Sequence, residues 1–391
     1  MTARHSRPLV VVGGGFAGVA AALGAQRAGL QTCLVQQHSA LRAPRELLAD
    51  LTGVEVWLET VAWGIWGHDL ALWGPNGQSV VLAAEHIILA TGAHDRPLAF
   101  PGWTLPGVMT AGEAPTLPGK RVLVAGYGQF AAAAVAALRD RAANIVGVLD
   151  AAAPNAQLPV RAEGEQRLER VVVADVDSDW YPRLGTEQVL EVDTLVLAFG
   201  SLPEDQLARL AGCHLDADAY VNPRTIRDAW MRTTVPGVFV VGDAGGIVGP
   251  EGSLEQGRLA GLAAAVDAGC LAQSEADRRA ARSVVDRVAE TPRAGLYTLA
   301  DADTVICRCE DVIARTLTER LFEGNLEPAP VIAETRAGMG VCQGRACASL
   351  IAATISRHTG QGLEHVPPIT PRPPVLPVPL GVLAERPPQF V

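Results

Sequence analysis

The sequence predicts an α/β protein built from two dinucleotide-binding, Rossmann-like units followed by a small cysteine-bearing module. Three observations predict it. The apolar run Leu9–Val12 leads into Gly13-x-Gly15-x-x-Gly18 and then an alanine-rich stretch. A second apolar run, Val122–Ala125, leads into Gly126-x-Gly128-x-x-Ala131. Four of the seven cysteines fall between positions 307 and 347.

The first run reads as a buried parallel strand and Val19–Ala28 as a helix. Between them Gly13 makes the tight turn, Gly15 leaves room for a pyrophosphate, and Gly18 lets helix and strand pack closely. Phe16 and Ala17 complete the turn that would face the phosphates at the helix N-terminus. Strand Thr32–Gln36 closes this βαβ unit. The acid that usually holds ribose hydroxyls after such a strand is replaced by Gln37, whose neutral amide forgoes about 1–2 kcal/mol of charge assistance.

Short alternating segments follow at Val54–Leu58, Val61–Trp66, Asp69–Trp73 and Gln78–Leu82, with a turn at Gly74-Pro75-Asn76-Gly77. They read as a small β-meander on which Trp57, Trp63, Trp66 and Trp73 pack. His86–Ala93 is a further buried strand ending in Ala90-Thr91-Gly92, and Asp95–Gly112 a proline-rich crossing loop. His94 and Arg96 lie in that loop, where packing is the expected role. The second glycine turn has Asp150 where a ribose-binding acid belongs, and strands are expected near Leu168–Ala174 and Val189–Ala198. Little helix fits between Asp150 and Leu168. Thr233–Asp243 then gives a turn, a strand and Gly242-Asp243 at the strand's carboxyl end, where ligands of open α/β sheets lie. The helix Glu251–Ala268 presents its positive dipole end to a bound flavin.

The length allows two or three domains. A formal net charge of −10 argues against a nucleic-acid partner. No charge-free run of 18 residues can span a bilayer, and the polar Met1–Pro8 leader is not a signal peptide. The expectation is a cytoplasmic protein, in which cysteines point to metal or redox work. Cys307-x-Cys309 and Cys342-x₄-Cys347 suit a tetrahedral zinc or a [2Fe–2S] cluster. Zinc rivals the cluster on spacing alone, whereas glycines at 338, 340 and 344 allow amide hydrogen bonds to sulfur and favour the cluster. Cys33, Cys213 and Cys270 are expected to be buried and structural. Nine prolines among the last 25 residues predict an extended arm.

With these residues in view, the chain resembles the flavoprotein subunits of heteromeric amino-acid and imino-acid dehydrogenases. That family includes the B component of hydrogen cyanide synthase, the A component of opine oxidase and the flavoprotein of hydroxyproline dehydrogenase. The resemblance rests on Ala90–Gly112, Pro236–Gly246, Glu255–Gly261, Cys307–Asp311 and Gly338–Cys347. It implies FAD contacts at Gly13, Gly15, Gly18 and Asp243, and cluster ligation by Cys307, Cys309, Cys342 and Cys347 in a module similar to bacterioferritin-associated ferredoxin. It also implies a hetero-oligomer. The partner would be an FAD protein similar to glycine or D-amino-acid oxidases, with room for a small ferredoxin-like subunit and for peripheral membrane or quinone association.

The implied division is an FAD-type domain at 1–115 and 201–290, a shortened NAD-type domain at 116–200, a [2Fe–2S] module at 300–360 and a proline-rich tail at 366–391. Two departures stand out. The segment after Gln37 is shortened, and the second domain is too. The Gly126–Ala131 site, with Asp150, is therefore expected to be vestigial or to hold an adenine nucleotide (NAD or ATP) that exchanges no hydride; FMN at a subunit interface is a further cofactor candidate. The leading expectation is an electron-transferring component of a flavin-dependent dehydrogenase acting on C–N bonds, with no catalytic side chain of its own. The alternatives are a self-sufficient NAD(P)H-dependent reductase and a non-catalytic scaffold.

Overall fold

The computed structural model describes residues 3–114, 119–216, 223–280, 293–321 and 327–384. The chain forms two compact units: Met1–Ala93 with Leu202–Ala289 and Thr370–Val391, and His94–Ser201 with Glu290–Ile369. The last residues of the proline-rich tail, Pro387 and Pro388 included, lie outside the described residues.

In chain order the elements begin with β1 (Ala3–Val12), α1 (Phe16–Arg27), β2 (Thr32–Val35), α2 (Arg45–Ala49), β3 (Glu55–Trp57), β4 (Val61–Trp66), β5 (Asp69–Trp73) and β6 (Ser79–Leu89). Next come β7 (Ala93–Asp95), β8 (Val108–Thr110), β9 (Arg121–Gly126), α3 (Gly128–Asp140), β10 (Asn144–Asp150), β11 (Gln157–Glu163) and β12 (Arg170–Asp175). They are followed by β13 (Gln188–Glu191), β14 (Thr194–Ala198), β15 (Ser201–Pro203), α4 (Gln206–Leu210), β16 (Val238–Val240), α5 (Gly249–Asp267) and α6 (Gln273–Ala280). The remainder is β17 (Val305–Cys307), β18 (Val312–Ile313), α7 (Ala314–Thr318), α8 (Pro328–Thr335), α9 (Ala348–Thr359) and α10 (Leu380–Ala384).

The first unit is organised by β6. Its first half, Ser79–Ala83, runs antiparallel to β5, and its last residues, Ile87–Leu89, run parallel to β16. Along its other side β1 pairs in parallel from Ala3 opposite Val80 to Val12 opposite Leu89. Two sequence expectations are corrected here. The polar leader is the first half of β1, and the segments at 78–82 and 86–93 are one strand rather than two. The polar half pairs with β6 alone, while β2 joins only at Leu9–Val12. The polar half of β1 is held by side chains, Arg4 reaching Asp69 at 3.0 Å and Arg7 forming a fork with Glu55 at 2.6 and 2.9 Å.

Alternation then sorts β1 between two cores. Leu9 and Val11 join Ala17, Ala21 and Ala260 from α1 and α5. Val10 and Val12 join Cys33, Ile87, Leu207 and Val375 on the opposite face. Val375, from the C-terminal arm, donates its N–H to the Trp63 carbonyl at 2.9 Å. Farther on, Val382 is buried with Trp63 and Ala71, against Trp66 and Trp73. Trp63, Trp66 and Trp73 thus pack beneath the chain's own arm, whose described part includes the helix α10.

The second unit holds a parallel sheet in the order β10–β9–β14–β8 and an antiparallel meander β11–β12–β13. Among the described residues no helix lies between α3 and α4, so the crossover that normally adds a third strand beyond β10 is missing. The crossing loop buries Leu98, Ala99 and Phe100. Trp103 Nε1 donates to the Val305 carbonyl at 2.7 Å and Arg96 Nη1 to the Tyr297 hydroxyl at 3.0 Å, joining that loop to the cysteine-bearing segment.

Candidate flavin and cysteine sites

The parallel strands of the first unit end together. Val12 is in register with both Val35 and Leu89, and Leu89 with Val240. This brings the turn Gly13–Gly18, the pair Gln36–Gln37, Ala90–Gly92 and Gly242–Asp243 to one edge of the sheet, where doubly wound folds bind nucleotides. Gly13 has φ +110°, and a Cβ there would stand 2.2 Å from the Ala90 carbonyl oxygen. A Cβ on Gly18 would stand 1.8 Å from the Gly13 oxygen. A Cβ on Gly15 would meet nothing within 4 Å. Two glycines are therefore required by the protein itself, and the third faces open space at the N-terminus of α1, which has no acidic residue in its first turn. Phe16 is exposed and Ala17 buried there.

Asp243 does two things. Its Oδ1 accepts the N–H groups of Val248 and Gly249 at 2.8 and 2.9 Å, capping α5 from a distance, and Oδ2 receives neither bond. The position of α5 is set by close approach to α1, since a Cβ on Gly257 would lie 2.1 Å from the Ala17 oxygen. Gln256, fully buried, accepts the Gly242 N–H at 3.0 Å, while its Nε2 has no partner among the described residues. An open cradle at Gly15, a carboxylate oxygen left over on Asp243 and this spare buried amide fit an FAD-type dinucleotide. Thr91 donates to the Glu204 carbonyl at 2.6 Å, which fixes the Ala90–Gly92 end.

Gln37 is exposed, with Nε2 3.2 Å from His38 Nε2. Gln36 is the buried member of the pair and donates to the Ala40 carbonyl at 3.2 Å. The shortened segment after it folds back over the glycine turn: the Arg42 N–H donates to the Gly14 carbonyl at 2.8 Å, and Leu41 lies against Gly14. Arg42 is exposed there and belongs to the candidate site. Sequence reasoning missed it because no motif marks a cation brought back by a loop.

The second turn is built differently. Gly126 lies against the Ala198 backbone and Ala131 is buried. Asp150 Oδ1 accepts the N–H groups of Gly128 and Ala152, both at 2.9 Å. Tyr127 is buried between Phe130 and Trp180, ring centres 5.2 and 5.1 Å away. A cleft of about 710 Å³ opens beside it, lined by Ala151, Ala153, Pro154, Val176, Arg183 and Arg293 among others.

The structure brings the four C-terminal cysteines together. Gly338 lies between two of them, its N–H directed at Cys307 Sγ and its Cβ position 3.9 Å from Cys347 Sγ. The neighbouring Cys347 side chain lowers Cys307 to about 6 and Cys342 to about 5, with backbone amides of Gly338 and Ala346 adding to the effect. Cys347 is pushed up by its neighbours Cys307 and Cys342 and by burial, and burial raises Cys309. The Gly338 N–H points at Cys307 Sγ at 3.5 Å, and a Cβ on Gly340 would lie 2.3 Å from the Cys309 Cβ. Among the described residues no three side chains stand in ready-made metal-ligand geometry. Four neighbouring thiols, one of them facing the Gly338 N–H, nevertheless have the donor chemistry of a thiolate-held metal centre. Of the remaining cysteines, Cys33 and Cys213 are buried, and burial pushes the Cys33 thiol up to about 12. Cys270 corrects the expectation: it is exposed, in the turn after α5 and off that helix's apolar face.

Comparison with known proteins fits this geometry. The family model of pyridine nucleotide-disulphide oxidoreductases matches residues 52–269, more than half of the chain, and that of FAD dependent oxidoreductases matches 8–41. Hydrogen cyanide synthase subunit HcnB of Pseudomonas aeruginosa is 31% identical over 95% of this chain and 97% of its own length. The chain belongs to that family of FAD-dependent oxidoreductases. HcnB of Pseudomonas protegens is 30% identical over 95% of this chain and 96% of its own. The A component of opine oxidase from Rhizobium meliloti is 28% identical over 80% of this chain and 68% of its own. The alignment with the Pseudomonas protegens protein runs to 457 positions, more than the 391 residues here, so that relative carries insertions this chain lacks. The sarcosine oxidase A3 domain model matches residues 310–386, across Cys342 and Cys347. The crystal structure of L-proline dehydrogenase from P. horikoshii superposes with a TM-score of 0.78 at 22% identity, covering 98% of this chain and 81% of that one, and shares the fold. Among the described residues no helix is long and apolar enough to cross a membrane.

Proposed function

We propose that the chain is the electron-transferring component of a hetero-oligomeric flavin dehydrogenase that oxidises the C–N bond of an amino acid, imino acid or opine. Substrate oxidation takes place on a partner FAD protein, and electrons leave through a [2Fe–2S] cluster ligated by Cys307, Cys309, Cys342 and Cys347. The observation that carries this reading is the gathering of those thiols under amide donors, together with relatives that are themselves named as subunits of hydrogen cyanide synthase and opine oxidase. FAD, bound at the first turn, supplies the two-electron to one-electron exchange. This chain's own residues orient it: Gly13 and Gly18 shape the turn, Asp243 and the α5 N-terminus receive its polar end, and Gln256 holds the Gly242 N–H. At the second turn we read a site that is vestigial or holds an adenine nucleotide, because Asp150 is already engaged by the turn's own N–H groups.

Anaerobic purification with the co-expressed partner tests the reading. Flavin and two irons with acid-labile sulfide per chain, and reduction by one of a panel of amino acids, imino acids and opines, are expected. Rapid bleaching by NADH without a partner would move the assignment to a stand-alone reductase. Cluster without flavin would move it to a scaffold.

A further inference from the structure

The sheet edges of this protein are treated unequally. In the first unit β3 is a three-residue edge whose Glu55 is bound by Arg7, and the opposite edge, β4, receives the arm through Val375. In the second unit β8 is three residues long, and the meander edges carry Pro159, Arg161 and Glu163 on β11 and Gln188 and Glu191 on β13. Short strands, prolines and charges are what keep edges from pairing with other chains. β10 has no proline, and its one charge is Asp150 at its carboxyl end. It is seven residues, Asn144-Ile-Val-Gly-Val-Leu-Asp150, it ends the order β10–β9–β14–β8, and it exposes Val146 and Val148 at 45% each. Parallel sheets are normally covered, and a strand in this position ordinarily has a further strand beside it. Here, among the described residues, the crossover that would supply it is absent.

The strand is also self-complementary. Read backwards from Asp150 it gives the same order of residue types: polar, γ- or β-branched aliphatic, valine, glycine, valine, aliphatic, polar. We propose that β10 pairs with β10 of a second copy, antiparallel and centred on Gly147, giving a two-fold dimer with one continuous eight-stranded sheet. In this register Val146 faces Val148 of the other copy, Ile145 faces Leu149, and Asn144 faces Asp150. Each exposed valine is covered by a valine, and no like charges meet although each chain carries −10. A shift by one pair would set Asp150 against Val146. Gly147 lies beside the bulge in the β9–β10 pairing, where a Cβ would stand 3.0 Å from Leu123 Cδ1; a glycine there also clears the way for a neighbouring backbone. The proposal does not depend on the electron-transfer reading.

The register makes the test specific. In a Cys270→Ser background, the full chain carrying Val146→Cys or Val148→Cys alone is expected to give little covalent dimer on mild oxidation. An equal mixture of the two is expected to give a disulfide-linked pair, because only 146 and 148 are opposite each other. Val148→Lys, at an exposed position, should lower the sedimenting mass from two chains to one while leaving the circular dichroism spectrum unchanged. The proposal is overturned by a wild-type chain that sediments as one copy at micromolar concentration, by a dimer that survives Val148→Lys, or by singles that cross-link as well as the mixture. A β10 edge protected from hydrogen exchange only when a different protein is added overturns it as well.

Discussion

The two glycine turns have nearly the same sequence and different surroundings. At Gly13–Gly18 the middle glycine faces open space, and Gln37, two residues past the neighbouring strand, is exposed. At Gly126–Ala131 an aromatic cluster sits beside the turn, and the corresponding acid, Asp150, is occupied by the turn's own N–H groups. The motif specifies a strand–turn–helix path. The surroundings differ: the loop through Leu41 and Arg42 returns over the first turn, and at the second the Trp180 ring lies against Tyr127.

The strongest way to break the contrast is at the glycines that touch backbone. Gly13→Ala forces a side chain into positive φ and into the Ala90 carbonyl, so a loss of more than about 3 kcal/mol and of bound flavin is expected. Gly126→Ala, whose Cβ would be 2.4 Å from the Ala198 oxygen, should lower thermal stability comparably but leave flavin per folded chain unchanged. Melting curves read beside flavin absorbance check both.

Gly15→Val sharpens it. Gly15 has φ −88°, which any residue adopts, and its Cβ meets no protein atom. The flavin-free melting temperature should hardly move, while FAD affinity falls about 10- to 100-fold, or about 1.4–2.8 kcal/mol, in a fluorescence titration. Equal FAD affinity for wild type and variant would remove the first turn from the cofactor site.

The two aspartates offer a smaller test. Asp243→Ala removes the acceptor for two helix N–H groups and should cost about 1–2 kcal/mol with weakened flavin binding, whereas Asp243→Asn keeps that acceptor and most of the stability. Asp150→Ala should cost a similar amount with no effect on flavin.

The smallest effect concerns the polar half of β1. The bond from Arg7 holds the Glu55 carboxyl below its usual 4.5. A carboxyl depressed by folding contributes stability that is complete above that usual value and is lost as pH falls through the lower folded one. Glu55 is partly exposed, so solvent screening limits the contribution to about 0.5 kcal/mol. Glu55→Gln should cost that much at pH 7 and nothing in strongly acidic solution, as measured by urea unfolding at the two pH values.

Much of this molecule was legible before folding. Leu9–Val12 with the glycine spacing places the first turn, because positive φ and close packing tolerate few other residues. The strand before Gly242–Asp243 was legible as a buried apolar run, and Cys307, Cys309, Cys342 and Cys347 stood out by spacing. Less was legible where backbone pairing does the work. The polar residues Arg4–Arg7 read as a leader and are a strand, since β6 supplies hydrogen bonds that side-chain patterns do not record. Cys270 read as buried because cysteine usually is, yet it falls just past the apolar face of α5.

Sequence alone determined which segments turn, which strands are buried and which thiols are paired along the chain, since these follow from local sterics and the period of apolar residues. Only the tertiary structure decided that Gln36 is the buried member of its pair while Gln37 is exposed, that Asp150 is already engaged, and that Leu41 and Arg42 return over the first turn. Those outcomes depend on contacts between segments far apart in sequence, and no local pattern encodes which partner arrives.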